Sequence, residues 1–292
     1  MATLSQWVAG ARLRTLPIVI APVVIGTAAA VGETGLFHWF RFLLALCVGL
    51  LLQIGVNYSN DYSDGIRGTD DERVGPLRLT GSKLTDPKNV RNAAFTCFGL
   101  AAVLGLVLVI LSQAWPLLLI GVAAIFAAWG YTGGKNPYGY RGLGEVFVFV
   151  FFGLVATLGT LYTQAHRLTA PGLLGAYGVG ALATAILVAN NLRDRPTDAK
   201  VGKRTLAVKL GDARTRALFV FLTATAVAAG AACALWAPWA LLCLGALALA
   251  IPQVMRVQAG ATGRDLIPVL SGTGVTQLLY AVLLTVGLWL GR

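Results

Sequence analysis

Long apolar runs recur along the whole chain and constrain its fold more than any other feature of the sequence. An apolar run of about 20 residues, when helical, matches the hydrocarbon thickness of a lipid bilayer. The chain has 292 residues, of which 57% are hydrophobic and only 12% are charged, and its mean hydropathy is +0.75. A soluble domain would carry roughly twice that charged fraction. The sequence therefore predicts an all-α membrane protein that forms a single polytopic domain over residues 1–292.

About nine transmembrane helices are predicted from these runs. Their expected positions are residues 15–32, 38–58, 92–112, 115–132, 144–164, 172–191, 214–236, 238–255 and 268–290. The connections that follow odd-numbered spans are short and nearly uncharged, whereas those that follow even-numbered spans are long and polar.

The basic residues predict the orientation of these spans. Of the 23 Lys and Arg residues, only Arg41, Arg167 and Arg292 lie on the side of the short connections, and the other 20 lie at the amino terminus or in the long loops. Cytoplasmic loops carry such an excess of positive charge. We therefore expect a multi-pass plasma-membrane protein with a cytoplasmic amino terminus, cytoplasmic polar loops and an external carboxy terminus. The net charge of +11 is then explained by basic cytoplasmic loops and by anionic partners, either lipids or phosphorylated substrates. It does not indicate binding of nucleic acid.

A polar stretch begins where the second apolar run, Phe42 to Val56, stops. If the helix continues for another turn or two, Asn57, Asn60, Asp61 and Asp64 share an arc of about 100°. Crowded carboxylates repel one another, and charge near hydrocarbon is costly. A bound divalent cation would relieve both problems, and ligands that are all oxygen atoms suit Mg²⁺. The alternative is helix capping by Asn and Asp with solvated loop charges.

A second polar cluster follows the sixth span. Asn190, Asn191, Asp194 and Asp198 also fall within about 100° on an unbroken helix. Pro196 disfavours helical geometry at the preceding residue, so we expect the helix to end at Asp194 and Asp198 to return from the loop. Both clusters place an Asn four residues before an Asp at the end of a span. They indicate either an internal pseudo-repeat of spans 1–4 and 5–8, which would make the clusters face each other, or convergence.

Many cations surround the two clusters, and the mixture of carboxylates with Lys and Arg indicates a polyanion bridged by metal, as in enzymes that bind diphosphate through Mg²⁺. About half of these cations are interpreted as topology signals. The predicted diphosphate contacts are Arg67, Arg73, Lys135, Arg141 and Lys203. Arg12 lies at the start of the first span, where it either meets an acidic substrate or anchors the span.

A third polar loop, residues 131–145, is rich in Gly and Tyr. Tyr131 belongs to it and is a candidate for shielding a carbocation through its ring. The alternative is an ordinary belt of interfacial tyrosines.

Together these motifs resemble the UbiA superfamily of membrane prenyltransferases. The resemblance runs in order from residue 11 to about residue 211 and is closest to the branch that prenylates 1,4-dihydroxy-2-naphthoate in menaquinone biosynthesis. The stretches that carry it are Ala11 to Pro17, Asn60-Asp-Tyr-Ser-Asp64, Gly75-Pro-Leu-Arg78, Tyr131-Thr-Gly-Gly134 and Asn191-Leu-Arg-Asp194. One departure concerns the first motif, because Gly68 stands where the common superfamily spacing has an Asp. Asp70, two residues later, is the arrangement of the naphthoate branch.

The resemblance implies nine helices around a central cavity and two Mg²⁺ ions. It implies that the polyprenyl group of a polyprenyl diphosphate is transferred to an acidic aromatic acceptor, 1,4-dihydroxy-2-naphthoate, with loss of carboxylate and diphosphate. The implied metal ligands are Asp61, Asp64, Asp70, Asp194 and Asp198, and the implied substrate contacts include Asn57, Asn60, Asn190 and Asn191. Two alternatives remain: a superfamily member with another acceptor, such as 4-hydroxybenzoate, and a transporter of a phosphorylated metabolite.

The charge pattern generates a prediction about topology. In a variant without the native cysteines, we expect Lys83→Cys and Lys203→Cys to resist a membrane-impermeant thiol reagent in intact cells and to react after permeabilisation. Arg167→Cys is the matched control on the opposite side and should react without permeabilisation. Labelling of position 83 or 203 from outside would contradict the predicted orientation.

Overall fold

The computed structural model describes residues 2–68 and 77–291, and these residues form an all-helical protein. The helices are α1 Leu4–Gly10, α2 Pro17–Thr34, α3 Trp39–Ile66, α4 Pro87–Ser112, α5 Leu117–Gly130, α6 Gly144–Val148, α7 Ala156–Ala165, α8 Ala170–Lys200, α9 Leu206–Ala232, α10 Leu247–Gln258 and α11 Ile267–Leu290. The predicted residues Asp70 and Arg73 lie outside the described ranges.

Eight helical segments within the described ranges are long and apolar enough to cross a membrane. The predicted fourth span corresponds to α5, which is apolar but has only 14 residues. At 1.5 Å per residue it covers about 21 Å, less than the ~30 Å of a hydrocarbon core. The all-α membrane fold is therefore confirmed, and one of the nine predicted spans is shorter than the sequence predicted.

Two helices extend well past their predicted ends on the polar side. Helix α3 continues from the apolar run through the first polar cluster to Ile66, and α8 continues through the second cluster to Lys200. The expectation that the helix ends at Asp194 is wrong, because α8 runs through Pro196 for another turn. A proline removes one backbone hydrogen bond, and this helix tolerates that loss near its end.

Regular α-helix is interrupted inside three spans. Residues Phe149–Val155 form a π-helical segment between α6 and α7, and Pro238–Ala246 form a 3₁₀ segment before α10. In α9, Gly211 has φ 76° and ψ 179°, so the helix is kinked there. The seventh predicted span, residues 214–236, begins just after this kink.

Helix α8 lies at the centre of the fold and packs against α2, α9, α11 and the π-helical segment. At its contact with the π-helical segment, Gly180 of α8 packs directly against Gly153. A Cβ atom built on Gly153 would lie only 2.5 Å from the Cα atom of Gly180, so the two backbones are too close for a side chain. In membranes, small residues of this kind let helix backbones approach closely, and van der Waals packing then stabilises the pair.

This contact predicts a difference between two glycines of the same span. Gly153→Ala places a methyl group against the backbone of α8, and we expect it to lower the free energy of unfolding by about 1–3 kcal/mol through overpacking. At Gly159 an added Cβ atom meets nothing within 4 Å, so Gly159→Ala should be neutral or stabilise by up to about 1 kcal/mol. Thermal unfolding of both variants in detergent measures the difference. Equal melting temperatures would contradict the proposed packing.

Candidate active site

The first polar cluster occupies about the last three turns of α3. Asn60, Asp61 and Asp64 are all buried there, and the exposed fractions of Asp61 and Asp64 are 0% and 3%. Buried carboxylates need hydrogen-bond donors or counter-charges. The partners of these two carboxylates differ: those of Asp61 are backbone N–H groups, and those of Asp64 are side chains.

Asp61 binds the backbone that returns after the first polar loop. Its two carboxylate oxygens accept hydrogen bonds from the N–H groups of Leu79 at 2.6 Å and Thr80 at 2.8 Å. Leu79 is itself fully buried. Asp61 therefore fixes this returning segment on the end of α3, a structural role that the sequence did not predict.

Asp64 faces the other polar loops. Its carboxylate accepts a hydrogen bond from the Tyr140 hydroxyl at 2.8 Å, and the Arg78 guanidinium lies 3.5 Å away. Arg78 precedes Leu79 directly, so the backbone contacts of Asp61 also position the cation that approaches Asp64.

Tyr140 connects the two polar clusters. Its ring contacts two cations, with the Arg67 guanidinium carbon 5.3 Å and the Lys203 ammonium 5.0 Å from the ring centroid. Lys203 in turn lies 3.8 Å from a carboxylate oxygen of Asp198. Cations over a tyrosine ring are attracted by its electrons. The ends of α3 and α8 thus meet at one site, with Tyr140 between Asp64 and the Lys203–Asp198 pair.

The second cluster lies on the last turns of α8. Asp194 forms a bidentate pair with Arg193, with both nitrogen–oxygen distances at 2.7 Å. Arg193 also donates to the side-chain oxygen of Asn190 at 2.9 Å. The next amide, Asn191, donates to the carboxylate of Glu145 at 2.8 Å. A bidentate arginine–carboxylate pair is strong and directional, so it holds Asp194 in a defined orientation.

Three predicted substrate contacts have partners within the protein. Asn60 accepts a hydrogen bond from the Thr132 hydroxyl at 2.8 Å, and Arg67 donates to the carbonyl oxygens of Thr132 and Gly134. Asn57 donates to the carbonyl oxygen of Ala11 at 2.9 Å. These side chains tie the third polar loop and the amino-terminal segment to the end of α3.

Arg12 follows the carbonyl group that Asn57 binds. Its backbone φ is 54°, in the left-handed region that is uncommon for residues other than glycine. The hydrogen bond from Asn57 and the short α1 helix before it fix this segment, so Arg12 emerges from a constrained turn at the polar end of the fold.

The third polar loop ends in a 3₁₀ turn, Tyr138–Arg141. The Tyr131 ring packs edge-on against that of Tyr138, with centroids 5.5 Å apart. Tyr138 donates to the carbonyl oxygen of Ala127 at 2.8 Å, and burial raises the pKa of its hydroxyl, which therefore stays a neutral donor. Lys135 and Arg141 are exposed.

Sequence reasoning did not select three residues that the structure brings into this site: Arg78, Tyr140 and Glu145. Arg78 stands inside one of the stretches that carry the resemblance and Tyr140 lies in the third polar loop, but their partners are distant in sequence. Glu145 follows the last glycine of the Gly- and Tyr-rich loop, and no spacing in the sequence connects it with Asn191.

The oxygen donors fit a hard divalent cation, since the buried carboxylates Asp64, Asp194 and Asp198 gather at one end of the fold. In the part of the chain that is described, no three His, Cys, Asp or Glu side chains already form a metal-binding group. Arg78, Arg193 and Lys203 instead approach these carboxylates.

These features define a multi-span helical membrane protein whose polar end carries buried carboxylates and the cations that pair with them. The family model for the UbiA prenyltransferase family matches residues 19–264. The chain belongs to this family.

Known proteins resemble the chain over its full length. It is 53% identical to the 1,4-dihydroxy-2-naphthoate octaprenyltransferase of Mycobacterium tuberculosis, with 100% of this chain and 99% of that protein covered. It is 36% identical to the Escherichia coli protein of the same name, over 98% of this chain and 96% of that protein. Its fold resembles a UbiA homolog from Archaeoglobus fulgidus solved with GPP and Mg²⁺, with a TM-score of 0.69, 14% identity and coverage of 97% and 99%.

The contacts of Asp61 generate a stability prediction. Asp61→Asn turns one acceptor oxygen into an N–H₂ group that faces a backbone N–H, and we expect it to lower the free energy of unfolding by about 1–3 kcal/mol. Asp86→Asn is the matched control, because Asp86 also accepts a backbone N–H, from Lys88, at the exposed start of α4, and Asn caps helices as well as Asp does. Thermal unfolding and limited proteolysis around residues 77–85 measure the effect. Wild-type stability of Asp61→Asn would show that the two backbone contacts contribute little.

Proposed function

We propose that this chain transfers a polyprenyl group from polyprenyl diphosphate to 1,4-dihydroxy-2-naphthoate. The C–O bond to diphosphate breaks, a carbon–carbon bond to the ring forms, and the ring carboxylate leaves as carbon dioxide. The product is the prenylated 1,4-dihydroxynaphthalene, the hydroquinone form of demethylmenaquinone. The observation that carries this proposal is the 53% identity to a naphthoate prenyltransferase over essentially the whole of both chains. The matched region covers the whole of this chain, so it includes the helix ends and loops that build the site.

The buried carboxylates support a divalent metal at the site, and we propose Mg²⁺, with two ions as the resemblance implies. Asp64 is the principal ligand from α3, because its partners Tyr140 and Arg78 are side chains that can turn away, whereas both oxygens of Asp61 accept hydrogen bonds from main-chain N–H groups. Asp194 and Asp198 are the ligands from α8. When bound, the metal neutralises the negative charge that develops on the departing diphosphate.

The nearby cations support binding of the diphosphate itself. Arg78 and Lys203 lie 3.5 Å and 3.8 Å from their carboxylate partners, which is longer than the roughly 2.7–2.9 Å of a close charge-assisted hydrogen bond. We propose that these cations turn towards the phosphate oxygens when metal and substrate enter together. The ring of Tyr140, whose hydroxyl donates to Asp64, attracts both Arg67 and Lys203, and we propose both as contacts of the diphosphate.

The aromatic side chains of the third polar loop support a role in protecting the allylic cation. Tyr131 packs against Tyr138, whose ring stacks on Phe147 with centroids 3.9 Å apart. A row of rings excludes water and presents electron-rich faces to a cation. We propose Tyr131 as the ring nearest the reacting carbon.

The acceptor's carboxylate needs a cationic partner, and we propose Arg12 over Arg141. The segment before Arg12 is fixed by the hydrogen bond from Asn57 to Ala11. The Arg141 side chain is exposed, and its carbonyl oxygen accepts a hydrogen bond from Lys209.

A competition assay tests the proposed function. Purified protein is given one polyprenyl diphosphate, Mg²⁺ and equal amounts of 1,4-dihydroxy-2-naphthoate and 4-hydroxybenzoate, and the prenylated products are quantified. We expect product mainly from the naphthoate, and none after chelation of the metal. Asp64→Asn and Asp194→Asn should reduce turnover at least about 100-fold, the usual scale for loss of a charge that stabilises a transition state.

Each other outcome has a definite meaning. Preference for the hydroxybenzoate would reject the acceptor and leave the family chemistry intact. Full turnover after chelation would reject the requirement for a bound divalent metal. Near-wild-type turnover of Asp64→Asn would reject Asp64 as its principal ligand.

A further inference from the structure

Glu145 is a buried acid in the first turn of α6 that the proposed chemistry leaves without a role. Its exposed fraction is 5%, and it lies at the polar end of the span Gly144–Ala165. Burying a carboxyl group at this position costs free energy unless it has hydrogen-bond donors. The groups around Glu145 therefore indicate its role.

Only half of this carboxyl group is satisfied by the protein. One oxygen accepts the hydrogen bond from Asn191 at 2.8 Å, and the other, Oε2, is buried with no hydrogen-bond partner in the described part of the chain. Within that part, no Lys or Arg pairs with Glu145 either. An unpartnered buried oxygen of this kind costs free energy unless a ligand or water supplies a donor.

The position of Glu145 relates it to both halves of the site. Its partner Asn191 follows Asn190, which is held by the Arg193–Asp194 pair. On the other side, the preceding residue Gly144 faces Tyr131, since a Cβ atom built there would lie 3.5 Å from the Tyr131 hydroxyl oxygen. Two neighbouring residues thus relate to the two halves: Glu145 contacts the second polar cluster through Asn191, and Gly144 lies beside the ring proposed to shield the cation.

We infer that Oε2 of Glu145 accepts a hydrogen bond from a phenolic hydroxyl of the aromatic acceptor. This inference rests on the proposed function. A carboxylate attracts an O–H donor but repels both the diphosphate and the acceptor's own carboxylate. It would therefore orient the naphthalene ring with a hydroxyl towards α6 and the carboxylate away from it. A metal at Glu145 is not favoured, because no other two His, Cys, Asp or Glu side chains join it among the described residues.

The first test separates the two substrates kinetically. In Glu145→Gln the side-chain oxygen can still accept from Asn191, while an amide N–H₂ replaces Oε2. We expect KM for the naphthoate to rise at least about tenfold, the scale of one lost hydrogen bond to a charged group. KM for the polyprenyl diphosphate should stay within about twofold. Glu33→Gln is the matched control, because Glu33 pairs with Arg167 in an exposed salt bridge away from this site, and it should change neither constant.

The second test uses binding and does not need turnover. The naphthoate and two analogues that each lack one hydroxyl, 1-hydroxy-2-naphthoate and 4-hydroxy-2-naphthoate, are titrated by their fluorescence into wild type and Glu145→Gln. Wild type should bind the dihydroxy compound at least about tenfold more tightly than the analogue that lacks the contacted hydroxyl. Glu145→Gln should bind the dihydroxy compound and that analogue with similar affinities. The ratio of its affinities for the dihydroxy compound and the other analogue should be the same as in wild type.

Several results would overturn the inference. One is an equal loss of affinity for all three compounds. Another is an increase in KM for the polyprenyl diphosphate as large as that for the acceptor. If Glu145→Gln does not fold, Glu145→Asp replaces it and should show the same split between the two KM values. If wild type prenylates only 4-hydroxybenzoate, the proposed acceptor fails, and the KM test is run with that acceptor, which also carries a phenolic hydroxyl.

Discussion

Buried negative charge at the ends of two apolar helices is the constraint on which this structure depends. Helices α3 and α8 each carry carboxylates beyond their hydrocarbon-spanning part, where unbalanced charge would be costly. Each carboxylate has its own means of compensation: backbone N–H groups at Asp61, a tyrosine hydroxyl and Arg78 at Asp64, and a bidentate arginine at Asp194. Because these partners come from distant segments, neutralising the charge also assembles the loops into one site.

The buried carboxylates are stabilised in two ways, by backbone hydrogen bonds and by charge pairs, and this difference matters for the proposed function. The backbone contacts of Asp61 are short and join main chain to side chain, so they suit a permanent link between α3 and the returning segment. The contacts of Asp64 and Asp198 with Arg78 and Lys203 are longer charge pairs, at 3.5 Å and 3.8 Å. In the proposed function, these pairs are exchanged for a metal and a diphosphate, so that no charge is left unpaired near the membrane.

The central helix shows how packing supports this site. Helix α8 contacts the π-helical segment through glycines, and this close approach brings α6 beside the end of α8. Glu145 and Asn191 then meet across that contact. The π-helical segment lies in the same span as Glu145, and such segments occur frequently at functional sites. The polar contact at the membrane boundary therefore depends on apolar packing deeper in the bundle.

The sequence by itself determined the class of this protein, because apolar length is a local property. Runs of about 20 residues fixed most of the spans, and the motifs identified the family, which the comparisons confirm. The periodicity of Asp61 and Asp64 placed them on one helical arc, but it did not distinguish a side chain that binds backbone from one that faces the other loops. Only the tertiary structure decided that difference. It also decided that α8 continues through Pro196, and which partners Tyr140, Lys203 and Glu145 contact. These contacts join residues that are far apart in the chain, and no local pattern records which loop will return to which helix end.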